Sequence, residues 1–208
     1  MSLQRRLACR AALATLLGAG LVRHAVAQGV AQRAALLVAT PNLKGSMFER
    51  SVVAVAQAPD GNTIGLILNR PGEGTPPPEL ASPDAGVQGA RVFVGGPLAA
   101  QAFFALAEGA SAVDGAFALV EGVQLAAGSA AVRRLFGAAG AGRRKLFRGY
   151  AGWADGQLAQ EINGGFWTPR PLAPDLLFDP APEAMWERLS AAARAVRVPP
   201  ALQGPPPA

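Results

Sequence analysis

The stretch Ser51-Val52-Val53-Ala54-Val55-Ala56-Gln57-Ala58-Pro59-Asp60-Gly61-Asn62-Thr63-Ile64-Gly65-Leu66-Ile67-Leu68 decides the reading of the fold. Ser51 to Gln57 is rich in valine, whose branched side chain suits a pleated, half-buried surface, so it reads as a strand. Pro59-Asp60-Gly61-Asn62 supplies turn chemistry. Thr63 to Leu68 is a second apolar run, and the pair reads as a hairpin about an Asp-Gly turn. Both faces of Thr63–Leu68 are apolar, which predicts a central strand covered on each side.

Working outward, Ala34 to Ala39 is a further strand, stopped by Thr40-Pro41-Asn42. Pro71 to Ala90, with Pro76-Pro77-Pro78, reads as a long exposed loop. Arg91 to Val94 is a short strand stopped by Gly95-Gly96-Pro97, and Ala102–Ala107 and Ala116–Val120 read as strands. Ser129 is placed to cap a helix whose Val132, Leu135 and Phe136 recur at helical spacing. Leu146–Tyr150 is strand-like, and Asp155 is placed to cap a helix carrying Leu158 and Ile162. Asp179-Pro180 opens the last helix, with Glu183 in its first turn and Met185, Leu189 and Ala192 along one face. Pro199-Pro200 ends it. Strands come in blocks, which favours a single compact α+β domain over a doubly wound sheet. Its expected extent is residues 28–198, followed by a disordered Pro-rich tail at 199–208.

The 208 residues are 50% hydrophobic and 16% charged, a balance that excludes wholesale disorder. Residues 1–27 carry Arg5-Arg6, an apolar run from Leu7 to Val22 interrupted only by Arg10, and a terminal Ala25-Val26-Ala27, the three parts of a secretory signal peptide. The run is too short to be a comfortable membrane span, and no transmembrane helix is expected after it. Cleavage after Ala27 would remove four arginines and no acid, taking the formal net charge from +5 to +1. It would also remove Cys9 and His24, the only Cys and the only His. Without them a Ser-His-Asp or Cys-His centre is excluded, and zinc, haem and iron–sulfur sites lose their usual ligands. No cofactor and no metal are expected. The expected location is periplasmic or secreted; a start codon assigned too far upstream would instead leave a cytoplasmic protein.

Three groups of residues are candidates for binding. Tyr150, Gly152 and Trp153, within Gly149-Tyr150-Ala151-Gly152-Trp153, precede a helix start that could hold an anion. A close-packed glycine turn with core aromatics explains the same residues. Arg70, in Asn69-Arg70-Pro71, could clamp a carboxylate or phosphate, or pair internally with Glu49. Arg133, Arg134, Arg143, Arg144, Lys145 and Arg148 form a basic cluster without an intervening acid, which suits an anionic partner or a solvated face. Base-stacking aromatics are sparse there and no recognition helix is legible, so sequence-specific DNA binding is not expected. Gly95-Gly96-Pro97 lacks the Lys of a phosphate loop. Asp155 and Glu161 stand six apart on a helix and face different directions, so they make no glycosidase-like pair.

Several segments together resemble the YqgE/AlgH family. They are Phe48-Glu49-Arg50-Ser51-Val52-Val53, Gly65 to Pro71, Val94-Gly95-Gly96-Pro97, and Gly149 to Trp153 through Gly156-Gln157-Leu158 to Glu161-Ile162. Leu177-Phe178-Asp179 and Trp186 follow in order, so the resemblance spans Ala34 to Leu189. It implies an α+β domain with a mixed, bifurcated sheet that includes a small barrel, flanked by helices. It implies no established set of catalytic residues. One branch of the family carries the label of transcriptional regulator without a recognised DNA-binding motif. This chain departs from the family pattern at Ala159, where a Glu is usual, and at Gly45-Ser46, where Asp-Pro is common. Near Ala107 relatives often carry a His. Members mostly lack a leader, which marks this chain as an exported, divergent copy. The expectation is an exported, non-enzymatic domain that binds an unidentified protein or anionic partner; the alternative is a cytoplasmic regulator associated with nucleic acid.

Overall fold

The computed structural model describes residues 34–80 and 87–191. The expected signal peptide, the expected disordered tail, and Ala192 and Pro199-Pro200 of the expected last helix lie outside the described residues.

The hairpin forms as the sequence predicts. β2 (Val52–Gln57) and β3 (Thr63–Ile67) pair antiparallel, with Val53 opposite Ile67 and Gln57 opposite Thr63. At the turn, the Ala58 amide donates to the Asn62 carbonyl at 2.8 Å, and Gly61 takes φ +89°, which favours glycine. The Asn62 amide donates to Asp60 Oδ1 at 3.0 Å, and this holds the Asp60 carboxyl below its ordinary value.

Period-two alternation then divides the core. β1 (Ala34–Ala39) pairs with β2, and their Ala34, Leu36, Val52, Ala54 and Ala56 enter one core with Leu66 and Leu68. The alternate residues Ala35, Leu37, Val53, Val55 and Ile67 enter a second core on the opposite face. Both faces of these strands are covered, as the all-apolar runs require.

The sheet runs β6-β7-β5-β8-β3-β2-β1-β9, so β3 is central, between β2 and β8. Here β5 is Leu98–Glu108, β6 is Ala116–Val120, β7 is Val123–Ala127, β8 is Arg144–Trp153 and β9 is Trp167–Arg170. β4 (Val92–Val94) stands off this path and pairs parallel with β8, the only parallel pairing among the described strands. One edge of β8 thus serves β4 at residues 146–148 and β3 at residues 151–153, which forks the sheet. The sheet is mixed and curls into a half-barrel flanked by helices, an α+β domain. A third core lies under α1 (Ser129–Gly137), whose Val132, Leu135 and Phe136 meet Phe103, Ala105 and Leu146. α2 (Gln157–Asn163) closes the second core with Leu158.

Several local expectations are corrected. β7 and β9 were not legible as strands: Val123-Gln124-Leu125-Ala126-Ala127 lacks a β-branched run, and Pro169 interrupts β9, which is tolerable at a sheet edge. Gly149 to Trp153 is the second half of strand β8, not a turn before a helix. Ser129 is the first helical residue behind Gly128, and Asp155 yields the cap of α2 to Gly156 at φ +74°. Gln157 Oε1 instead accepts from the Ala154 amide at 3.1 Å. The last helix does not start at Pro180. Proline disfavours helical backbone in the residue before it, and Ala181 precedes Pro182, so only a 3-10 turn forms at Pro182–Ala184 before α4 (Met185–Ala191). Pro71–Ala90 is not simply an exposed loop either, since Leu80 and Val87 are fully buried in the core under α1.

Candidate functional site: a cationic cavity beside the fork

Beside the fork lies a cavity of about 300 Å³. Its apolar walls are Phe93, Phe178, Pro180 and Pro182, and its charged groups are Arg91, Arg143, Arg144, Lys145 and Asp179. Two features of the fold assemble it. The parallel register of β4 on β8 sets Val92 beside Leu146 and Phe93 beside Phe147, which brings Arg91 alongside Lys145. A short helix, α3 (Pro174–Leu177), then delivers Phe178 and Asp179.

Alternation along β8 sends Lys145 and Phe147 to one face and Leu146 to the other, so Lys145 is drawn inside with only 6% of its surface exposed. Its Nζ donates to the Leu68 carbonyl at 2.8 Å and the Leu177 carbonyl at 3.3 Å. The ammonium also lies 4.1 Å from the Phe93 ring centroid, a cation–π contact. Two carbonyls and a ring face match its three N–H donors, yet none of these partners carries a negative charge. Burial lowers the Lys145 pKa to about 8; the Asp179 carboxylate acts the other way and Arg91 pushes in the same direction as burial.

The other charges are largely matched. Arg143 grips Glu108 with two N–H donors at 2.8 and 2.6 Å and reaches Asp175 at 2.9 Å. That grip holds the Glu108 carboxyl below the ordinary range and raises Arg143. Arg91 pairs with Glu183 at 3.1 Å, and Arg188 pairs with Asp179, which also accepts from the Ala181 amide at 2.9 Å. Arg144 is exposed and makes no ion pair among the described residues. The cavity therefore holds two cations without a paired carboxylate, Arg144 and Lys145.

The basic cluster read from the sequence is only partly one site. Arg143, Arg144 and Lys145 meet at the cavity. Arg133 and Arg134, on α1, donate instead to the Glu79 carbonyl at 2.7 Å and the Asp114 carbonyl at 3.1 Å. Arg148 is exposed farther along β8 and does not line the cavity. Lys145 is corrected from a solvated position to a buried one. Arg91, Phe93 and Phe178 were missed, because only the parallel pairing of β4 on β8 and the return of the chain through α3 bring them there.

Arg70 does not pair with the Glu49 carboxylate. It donates to the Met47 carbonyl at 2.6 Å and the Glu49 carbonyl at 3.4 Å, while Glu49 Oε2 accepts from the Gly45 amide. The Arg70 fork thus fixes the loop before β2 through its backbone. Trp153 is buried, and its indole and that of Trp167 both donate to Glu161 Oε2, at 2.9 and 2.8 Å. Tyr150 packs on Phe104 with ring centroids 5.3 Å apart. A Cβ on Gly152 would lie 3.1 Å from both Leu98 and Tyr150 side-chain atoms. Among the described residues no group of Asp and Glu is arranged to hold a metal ion, and no helix is long and apolar enough to cross a membrane.

Comparison with known proteins agrees with this architecture. The chain is 37% identical over 176 residues to a UPF0301 protein of Thermobifida fusca, covering 74% of this chain and 83% of that protein. It is 35% identical over 162 residues to a UPF0301 protein of an Anaeromyxobacter strain, covering 73% and 82%. The solution structure of the AlgH protein from Pseudomonas aeruginosa superposes with a TM-score of 0.58 at 25% identity, covering 79% of this chain and 87% of that one. A Corynebacterium diphtheriae crystal structure shares the fold with a TM-score of 0.60 at 23% identity, covering 81% and 90%. The AlgH-like family model matches residues 36–196, and the chain belongs to that family, the YqgE/AlgH or UPF0301 proteins.

Proposed function

We propose that this chain is an exported, non-enzymatic binding domain whose cavity beside β8 takes the anionic group of a ligand or partner. The observation that carries the reading is the pair of cations without a carboxylate partner, buried Lys145 and exposed Arg144, at one apolar-walled cavity. A buried ammonium whose hydrogen-bond partners are all neutral costs free energy; the charges of Asp179 and Glu183 offset part of that cost, and an incoming anion offsets more. Export is supported by the three-part leader in residues 1–27. Binding rather than turnover is supported by the absence of His and Cys beyond residue 27, which withholds the commonest general base and the commonest soft nucleophile.

Two measurements test this. Cell fractionation with N-terminal sequencing should find protein beginning at Gln28 outside the cytoplasm; cytosolic protein with an intact Met1 would overturn export. Thermal denaturation with increasing phosphate and benzoate, at constant ionic strength, should raise the midpoint through mass action with at least one of them. Sequence-selective DNA binding that survives about 150 mM salt would favour the cytoplasmic regulator instead.

A further inference from the structure

We propose, resting on the anion-binding reading above, that the ligand is a small monocarboxylate with an aromatic or otherwise flat apolar body. Its carboxylate lies toward Arg144 and Lys145, and its body lies against Phe93, Phe178 and the Pro180–Pro182 wall. Three observations select this class. First, the cavity holds about 300 Å³, near the lower end of the roughly 300–1,000 Å³ common for small-molecule sites, which suits one ring and not a nucleotide. Second, its walls are apolar on the Phe93, Phe178 and proline side, so a bare inorganic anion would leave that surface wet. Burying it against a ligand's flat apolar body removes that surface from water, which favours binding.

Third, the charge available to a ligand is small. Arg91 and Arg143 already have carboxylate partners, and the acids that match them sit around the same rim, with Asp179 in the cavity itself. A phosphate dianion or an extended polyanion meets that negative rim, whereas a single carboxylate needs only the two unmatched cations. Arg144 supplies a planar fork suited to a carboxylate. Lys145 supplies field more than a hydrogen bond, because its three donors already face two carbonyls and the Phe93 ring.

The test is calorimetric titration of the full mature chain with benzoate, acetate and inorganic phosphate at constant ionic strength. Benzoate should bind at least tenfold tighter than either acetate or phosphate. Arg144→Gln, on an exposed side chain, should weaken benzoate about tenfold, and Arg148→Gln, outside the cavity, should leave it unchanged. Lys145→Met should also weaken it, with the melting curve checking that this buried substitution still folds. Benzoate bound no better than acetate or phosphate, while phosphate binds and responds to Arg144→Gln, would overturn the monocarboxylate assignment and leave the anion site standing. Benzoate binding indifferent to Arg144→Gln would place it elsewhere and overturn the assignment. Failure of both benzoate and phosphate to bind would overturn the assignment and the anion-binding reading together.

Discussion

The two halves of β8 were built for different tasks. Arg144 and Lys145, in the first half, present cations to an open cavity, while residues 149–153, Gly-Tyr-Ala-Gly-Trp, are packed closely against their neighbours. In the second half, a Cβ on Gly96 would stand 2.2 Å from the Tyr150 carbonyl carbon, and one on Gly95 would stand 2.2 Å from the Gly149 oxygen. Gly149 itself takes φ +71°, and its own Cβ would meet the Gly96 oxygen at 2.5 Å. The Gly95-Gly96 segment and the Gly149-Tyr150 segment are therefore glycine-rich for one shared reason: two chains pass with no room between them. The difference teaches that the distinctive glycine and aromatic pattern marks where the fold closes. The plainer Arg-Arg-Lys run marks where it stays open.

The sharpest way to break this comparison is Gly96→Ala. If the second half of β8 is sealed, the clash falls on backbone that cannot rotate away, and unfolding in urea should show a loss of about 3 kcal/mol or more. Gly156→Ala, with open space around its Cβ, should cost only about 1 kcal/mol for its positive φ. Equal effects would show that close approach is not what the glycines serve.

Next in size is the pH dependence attached to the first half. Burial holds the folded Lys145 pKa at about 8, below the unfolded value of 10.5, so the unfolded chain binds more protons between those values. The cost of burying the ammonium is therefore fully present below about pH 8 and is relieved as pH rises toward 10.5. The stability of the wild type relative to Lys145→Met should rise by about 2 kcal/mol over that interval, taking about 1.4 kcal/mol per unit as the ceiling. A constant difference would mean that Lys145 titrates normally.

A smaller effect is expected at Gly152, where the neighbours are the side chains of Leu98 and Tyr150, both able to yield. Gly152→Val should lower stability by about 1 kcal/mol and leave benzoate binding intact. Unchanged melting with lost binding would transfer the site to the second half of β8. Smallest of all, Arg133→Ala removes one bond to the Glu79 carbonyl and no cavity group. Its stability should stay within about 0.5 kcal/mol, and polyanion retention should remain weak and vanish between about 50 and 200 mM salt.

Much of the fold was legible because its signals are local. Val52–Gln57 and Thr63–Ile67 announce strands through apolar, β-branched runs, and Asp60-Gly61 between them announces the turn. Val132, Leu135 and Phe136 announce α1 through their spacing. β7 escaped because Gln124 and its alanines carry little strand preference; pairing with β5 and β6 holds it in place. Arg143, Arg144 and Lys145 were legible as a basic run, but not as two kinds of residue, paired and unmatched.

By itself, then, the sequence determined the α+β class, the central hairpin and the family. Tertiary structure alone decided that Lys145 is buried and Arg144 is not, and that Arg91, Phe93 and Phe178 join them. The physical reason is distance along the chain. The carbonyls that hold Lys145 belong to Leu68 and Leu177, 77 and 32 residues away, and no local pattern encodes which backbone oxygens a side chain will meet. Alternation states only that Lys145 and Phe147 share one face of β8; packing decided that this face closed over a charge.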